Sequence, residues 1–222
     1  MNRVVIGVKG ERECCTAPSV SKQNTFAYPV VTPSAAHGIL SSVFRKPEFD
    51  WVVTRIAVVK MGRSDVITCN EVRFQGNKPV VASDPRIRIQ STKRILRDVE
   101  YIIEAEPYIL TPGTPEKPNT TGKYLNEFSK RMCGKKQFYR TPCLGPREYV
   151  CRVYPVSEFP ERGGVDVPDM RLPAMLVGMS HDTQRHDNRR GSYPYFADLN
   201  IVNGIIEVPR FIASKFKVGE NQ

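Results

Sequence analysis

The chain has 222 residues, 40% of them hydrophobic and 25% charged, with 18 prolines and 15 glycines. That is enough to bury a core without disulfide staples, and it excludes both a mini-protein and a disordered tail. Its 33 Lys+Arg against 23 Asp+Glu leave +10, an excess that fits a polyanionic partner or merely a soluble basic surface, and only the distribution of the charge separates the two.

The N-terminus, Met1-Asn2-Arg3 before Val4 to Val8, holds an apolar run too short for a signal peptide, and no stretch approaches the roughly twenty apolar residues of a membrane span. Cysteines at 14, 15, 69, 133, 143 and 151 lack paired C-x-x-C spacing. We therefore expect free thiols, a reducing cytoplasm, no structural metal and no membrane partner.

Residues 3 to 8 read as a short buried strand, followed by an irregular polar segment to Tyr28. Thr32 is placed to cap a helix with Pro33 at its first position, and Ala36, Ile39, Leu40, Val43 and Phe44 recur at helical spacing until Pro47 stops it. Trp51 to Val59 is rich in β-branched residues and reads as a strand. Residues 64–94 read as an inserted β-hairpin turning at Gly76-Asn77-Lys78-Pro79, and its return arm places Arg86 and Arg88 on one face. This is a basic ribbon for nucleic acid or an edge strand protected by charge. Val99 to Ala105 gives another strand. A three-proline loop then leads to a second helix, capped by Thr120 or Thr121, with Leu125, Phe128 and Met132 as its apolar stripe and an end near Gly134. Leu144 to Val153 reads as a strand.

That order predicts an α+β fold: a ferredoxin-like (RRM-like) β-α-β-β-α-β core over 1–155 with the inserted β-hairpin, and a small C-terminal antiparallel β-domain over 156–222. Within the latter we expect a strand near Ala174 to Met179 and a hairpin at Asn203-Gly204.

The densest basic stretch holds Lys123, Lys130, Arg131, Lys135, Lys136, Arg140 and Arg147 against one acid, Glu127, with Tyr124, Phe128, Phe138 and Tyr139 interleaved. Cations for phosphates and aromatics for unpaired bases are what a single-strand or stem-loop RNA binder requires. A solvated helix face shows cations too, but usually with more acids among them. No Gly-rich phosphate loop, G-x-S-x-G or H-E-x-x-H occurs, which leaves nucleotide hydrolysis and the common hydrolase plans without support. Of the three histidines, His37 sits beside the apolar stripe of the first helix and reads as a packing or partner residue. The run Ser180 to Arg190, with His181 and His186, reads as a loop rather than a metal site.

The stretches Tyr28 to Leu40, Phe44-Arg45-Lys46-Pro47, Asn70-Glu71-Val72, Gly122-Lys123-Tyr124 and Thr141 to Tyr149 resemble, in order, the landmarks of the CRISPR-associated Cas5 family, subtype d, of type I-C systems. The resemblance implies an RRM-like core with a C-terminal β-domain. It also implies metal-independent cleavage of precursor crRNA at the base of the repeat hairpin, with no cofactor. The product's 5′ handle is then retained beside the backbone-filament and large subunits of the interference complex. The alternative is a non-catalytic subunit that only binds the handle, and weak double-stranded DNA binding at low salt is compatible with such a basic surface.

Family members typically place a Lys-His pair at the start of the second helix, and some a Tyr or His late in the first. Here the pair is Lys123-Tyr124 and the first-helix position is Phe44. The expected catalytic residues are therefore Lys123, suited to phosphate charge near a helix N-terminus, and Tyr124, a poor base that can donate a proton or orient the 2′-hydroxyl. A depressed Lys123 serving as base is the other option. The expected RNA contacts are Arg86, Arg88, Lys130, Arg131, Lys135, Lys136, Arg140 and Arg147.

Overall fold

The computed structural model describes residues 2–17, 24–72, 88–182 and 191–212. The opening apolar run extends into β1 (Val4–Glu13), and a short β2 (Asn24–Phe26) follows. Helix α1 (Pro33–Val43) begins where Thr32 accepts the Ala35 amide on its hydroxyl (3.1 Å) and Pro33 needs no acceptor. Ala36, Ile39, Leu40 and Val43 form its buried face, and Phe44 caps its end.

Next come β3 (Phe49–Lys60), β4 (Arg63–Val72), the 22-residue β5 (Arg88–Ile109), a miniature hairpin of β6 (Gly113–Thr114) and β7 (Lys117–Pro118), and helix α2 (Thr121–Met132). The chain closes with β8 (Cys151–Pro155), β9 (Met170–Asp182), β10 (Gly191–Val202) and β11 (Ile205–Glu207).

The main sheet runs β8-β1-β5-β3-β11-β10-β9, with β2 and β4 also paired to β5. Strand β5 has the length to serve two sets of partners. Its second half lies between β1 (Val4↔Ala105) and β3 (Phe49↔Ile109), and its first half pairs with β4 from Val72↔Arg88 to Arg63↔Arg97. The change of partner falls at Asp98, whose positive φ of 60° is tolerated by a short polar side chain and whose carboxylate is held by Lys60. The β4 and β5 arms are the expected inserted hairpin; its turn, and Arg86, lie outside the described residues. The C-terminal strands join the same sheet through β11, at Ile205↔Ala57. Asn203 and Gly204, both at positive φ, make the expected two-residue turn between β10 and β11.

Period two sorts the faces of β5. Tyr101, Ile103 and Ala105 enter the main core with Ile6 and Val8 of β1, Ile56 and Val58 of β3, and the helix residues Leu40, Phe44, Tyr124 and Phe128. On the other face Glu104 is buried under Arg55 (2.8 Å) and Arg3 (3.1 Å), and these cations lower its carboxyl. A second acid lies deeper. Glu13 is fully buried and accepts the Tyr101 hydroxyl at 2.5 Å, and burial raises its carboxyl to about 7.

Two expectations need correction. The strand expected over Leu144 to Val153 begins only at Cys151, because Pro146 cannot donate to a ladder and Gly145 takes φ +95°. The segment folds instead into tight turns, with Leu144 donating to Tyr149 (2.9 Å), Tyr149 to Pro146 (3.0 Å) and Cys151 to Pro142 (3.0 Å). On α2 the buried side chains are Tyr124 and Phe128 at i, i+4, whereas Leu125 is only half-buried.

Candidate nucleic-acid interface

Thr120 caps α2, its hydroxyl accepting the Lys123 amide (3.3 Å), and the first turn so begun leaves Lys123 exposed and Tyr124 buried. Lys123 is exposed, donates from Nζ to Asn119 Oδ1 (3.1 Å) and lies 5.6 Å from the Tyr124 ring centre. Tyr124 is 2% exposed. Its ring stacks on Phe49 (4.3 Å, 26°) and lies near Phe44 (6.3 Å), and its hydroxyl finds no hydrogen-bond partner among the described residues. Burial, and then the nearby Glu48 carboxylate, raise the phenol above its ordinary value, so it stays protonated.

The second half of α2 gathers the basic cluster around one acid. Glu127 takes Lys130 on Oε1 (2.9 Å) and Lys136 on Oε2 (2.5 Å), and Arg131 reaches Oε2 at 3.4 Å while donating to the Glu127 carbonyl (2.9 Å). Lys136 and then Lys130 hold the carboxyl down at about 2. Arg131 also lies 4.3 Å over the Phe44 ring and is largely withdrawn from solvent. Three of the expected phosphate contacts are thus partly neutralised, while Lys135, Arg140 and Arg147 stand exposed. Arg88 is exposed at the start of β5, on a separate part of the sheet.

Beyond α2 the chain turns back onto α1: Tyr139 donates its amide to the Val43 carbonyl (3.2 Å) and Arg140 to that of Ser42 (2.8 Å). This return closes one wall of a cleft of about 520 Å³, whose far wall is β9 at Val177 to Met179. Facing the cleft are Arg140 and three groups missed as site residues in the sequence, namely Arg45 and Lys46 after α1 and the pair His37–Asp50. His37 Nε2 is 2.7 Å from Asp50 Oδ1, which also accepts the Trp51 amide at 3.0 Å. The available signal was the position of His37 one residue past buried Ala36, off the apolar stripe, with two cations just beyond the helix. Its carboxylate partner comes from another element and left no trace in local spacing. Among the described residues no cluster of three or more His, Cys, Asp or Glu is arranged to hold a metal, and no helix is long and apolar enough to cross a membrane.

Fold and site together define a mixed α+β protein with a mainly antiparallel sheet and a basic face built from one helix and the loops at its ends. Residues 4–209 match the family model of CRISPR-associated protein (Cas_Cas5), Cas5d, and the chain belongs to that family. It is 35% identical over 219 residues, 94% of this chain and 92% of the relative, to the CRISPR pre-crRNA endoribonuclease Cas5d of Thermus thermophilus. The protein of the same name from Mannheimia succiniciproducens is 30% identical over 229 residues, covering 97% and 99% of the two chains. Two solved structures share the fold. A CRISPR-associated protein is 19% identical with TM-score 0.67, covering 97% of this chain and 95% of that one, and the functionally uncharacterized protein SMU1763c from Streptococcus mutans is 20% identical with TM-score 0.63, covering 93% and 92%.

Proposed function

We propose that the chain is a metal-independent endoribonuclease that binds the repeat stem-loop of precursor crRNA, cuts at the base of the hairpin and keeps the 5′ handle as a subunit of the interference complex, beside its backbone-filament and large subunits. The observation that carries the reading is near-full-length likeness to two proteins named as pre-crRNA endoribonucleases, in a chain that presents Lys123 to solvent at the start of α2. Supporting the ferredoxin-like core is the strand order β8-β1-β5-β3, with α1 between β1 and β3 and α2 between β5 and β8.

Cleavage without metal needs a base for the 2′-hydroxyl proton, an acid for the leaving 5′-oxygen and positive charge on the transition state. In this reading Lys123 supplies the charge, aided by the free amides of the α2 N-terminus. Tyr124 enters as a positioning residue, the buried ring on which that turn rests. Lys135, Arg140 and Arg147 are the free phosphate contacts, and Lys130, Arg131 and Lys136 contribute through a cluster already shared with Glu127.

The burial of both Tyr124 and Phe44 favours a second reading, a non-catalytic subunit that binds the handle. The deciding experiment incubates pure protein with labelled repeat RNA in excess EDTA, beside a copy carrying a 2′-deoxy nucleotide at the cut. Cleavage of the first alone supports the endoribonuclease, and tight binding without cleavage of either selects the structural subunit.

A further inference from the structure

Of the two titratable side chains in the first turn of α2, Tyr124 is buried and held in its protonated form, and Lys123 donates from Nζ to Asn119. The α1–β9 cleft holds an imidazole. Asp50 engages His37 at Nε2, and a carboxylate accepting that N–H fixes the tautomer that leaves Nδ1 unprotonated, the arrangement that makes an imidazole an oriented base. Asp50 is itself pinned by the Trp51 amide, so the pair is held at the start of a core strand rather than on a free loop.

The surroundings suit a polyanion. Arg45, Lys46 and Arg140 face the same space against the single carboxylate of Asp50, and the half-exposed Tyr139 ring stands at the rim, with the Arg140 guanidinium 5.1 Å from it. The volume, about 520 Å³, is in the range of roughly 300–1,000 Å³ typical of small-ligand pockets, which accommodates a nucleotide lifted from its strand. Phe49, itself buried, lines the cleft and stacks on Tyr124 at 4.3 Å, so packed rings link the cleft wall to the turn that carries Lys123.

We propose that this cleft is an RNA-binding subsite in which the Asp50-held imidazole of His37 accepts the 2′-hydroxyl proton at the cut. The inference rests on the endoribonuclease reading above. In the step, the 2′-oxygen bonds to the adjacent phosphorus as its proton passes to His37 Nδ1, and the bond from phosphorus to the 5′-oxygen breaks. The products are a 2′,3′-cyclic phosphate and a 5′-hydroxyl whose proton comes from solvent, and the imidazolium returns its own proton to water. Arg45, Lys46 and Arg140 hold the phosphates on either side.

The test compares unaltered protein, His37→Asn, Asp50→Asn and Lys123→Ala in single-turnover cleavage of the repeat stem-loop RNA in EDTA. A fully 2′-O-methylated copy, which cannot be cut, reports affinity and shifts the ring signals of histidine-labelled protein in NMR. His37→Asn retains a polar group for Asp50, and its melting temperature is recorded to show that it folds. The expected result is a loss of about 100-fold or more in cleavage by His37→Asn, with affinity for the methylated copy within about threefold. Asp50→Asn loses about 10- to 100-fold, and the His37 ring signal moves on adding RNA. If Lys123→Ala is inactive while His37→Asn cleaves normally, the inference falls and the endoribonuclease reading stands. If the unaltered chain does not cut and the His37 signal does not move, both fall. If it does not cut but the signal moves, the proton-transfer role is overturned and the subsite alone remains.

Discussion

Replacing Tyr124 with Phe separates packing from chemistry at the residue beside Lys123. The phenol is 2% exposed and its hydroxyl has no partner among the described residues, so the folded state carries an unmet polar group. Such a group costs roughly 1–3 kcal/mol. Phe keeps the ring that stacks on Phe49 at 4.3 Å, so deleting the oxygen should stabilise the fold by about 1 kcal/mol, a rise of roughly 2–4 °C in melting temperature for a chain of this size. Single-turnover cleavage should stay within about threefold, because burial keeps the hydroxyl from the substrate. Tyr124→Ala is the contrast: it empties the contact with Phe49 and Phe44, costs about 3–5 kcal/mol and loosens the turn that carries Lys123. Thermal melts and cleavage rates on the two variants decide the matter. A Tyr124→Phe protein that melts at or above the parent temperature but cleaves about 100-fold more slowly would refute the reasoning and give the hydroxyl a direct part in proton transfer.

Other consequences follow from named groups. Glu13 is raised from 4.5 to about 7 by burial, so the folded state holds a proton that the unfolded chain releases above 4.5. Its contribution is complete below pH 4.5 and is lost as pH rises through about 7, a change of about 3 kcal/mol at roughly 1.36 kcal/mol per pH unit, and Glu13→Gln should flatten urea-unfolding stability across that window. Glu127 has the opposite sign: held at about 2, it favours the fold above pH 4.5 and ceases to do so as pH falls through about 2. Glu127→Gln should release Lys130, Arg131 and Lys136 and tighten RNA binding at low salt by about threefold or more, read by fluorescence anisotropy. In the same assay Arg140→Ala and Arg147→Ala should each lower the slope of log affinity against log salt by about 0.7, whereas Lys130→Ala, already paired, should change it less. Gly145→Ala should cost on the order of 2 kcal/mol or more in thermal unfolding, since its φ is +95° and a Cβ there would lie 2.3 Å from the Cys14 carbonyl oxygen.

Local chemistry made most of the elements legible. Thr32-Pro33 with a helical apolar stripe marked the start of α1, although the helix ends at Val43, ahead of Pro47, and β-branched runs marked β3 and the first half of β1. The single long β5 was harder to foresee, because its two halves serve different partners and its break falls at Asp98, a lone short polar residue with no Gly, Pro or Asn beside it. The strand expected over Leu144 to Val153 fails at Gly145-Pro146, the pair whose backbone demands end strands. On α2 Tyr124 carries a polar atom yet lies inside: the cap at Thr120 fixes the phase of the helix, and that phase turns positions 124 and 128 inward together.

The same distinction governs the basic face. Composition counts seven cations against one acid between Lys123 and Arg147, but an ion pair depends on where the helix phase and the following loop deliver each head group. Glu127 lies three and four residues before Lys130 and Arg131, the spacing at which helix neighbours meet, and Gly134, at φ +72°, turns the chain so that Lys136 reaches the same carboxylate. The turn therefore spends one acid on three cations and leaves the free charge farther along, at Lys135, Arg140 and Arg147. Through the backbone bonds of Tyr139 and Arg140 to the end of α1, part of that free charge arrives at the cleft that holds His37. Of the three cations left free, Arg140 therefore joins Arg45 and Lys46 in lining the cleft that holds the His37–Asp50 pair, while Lys135 and Arg147 do not line it.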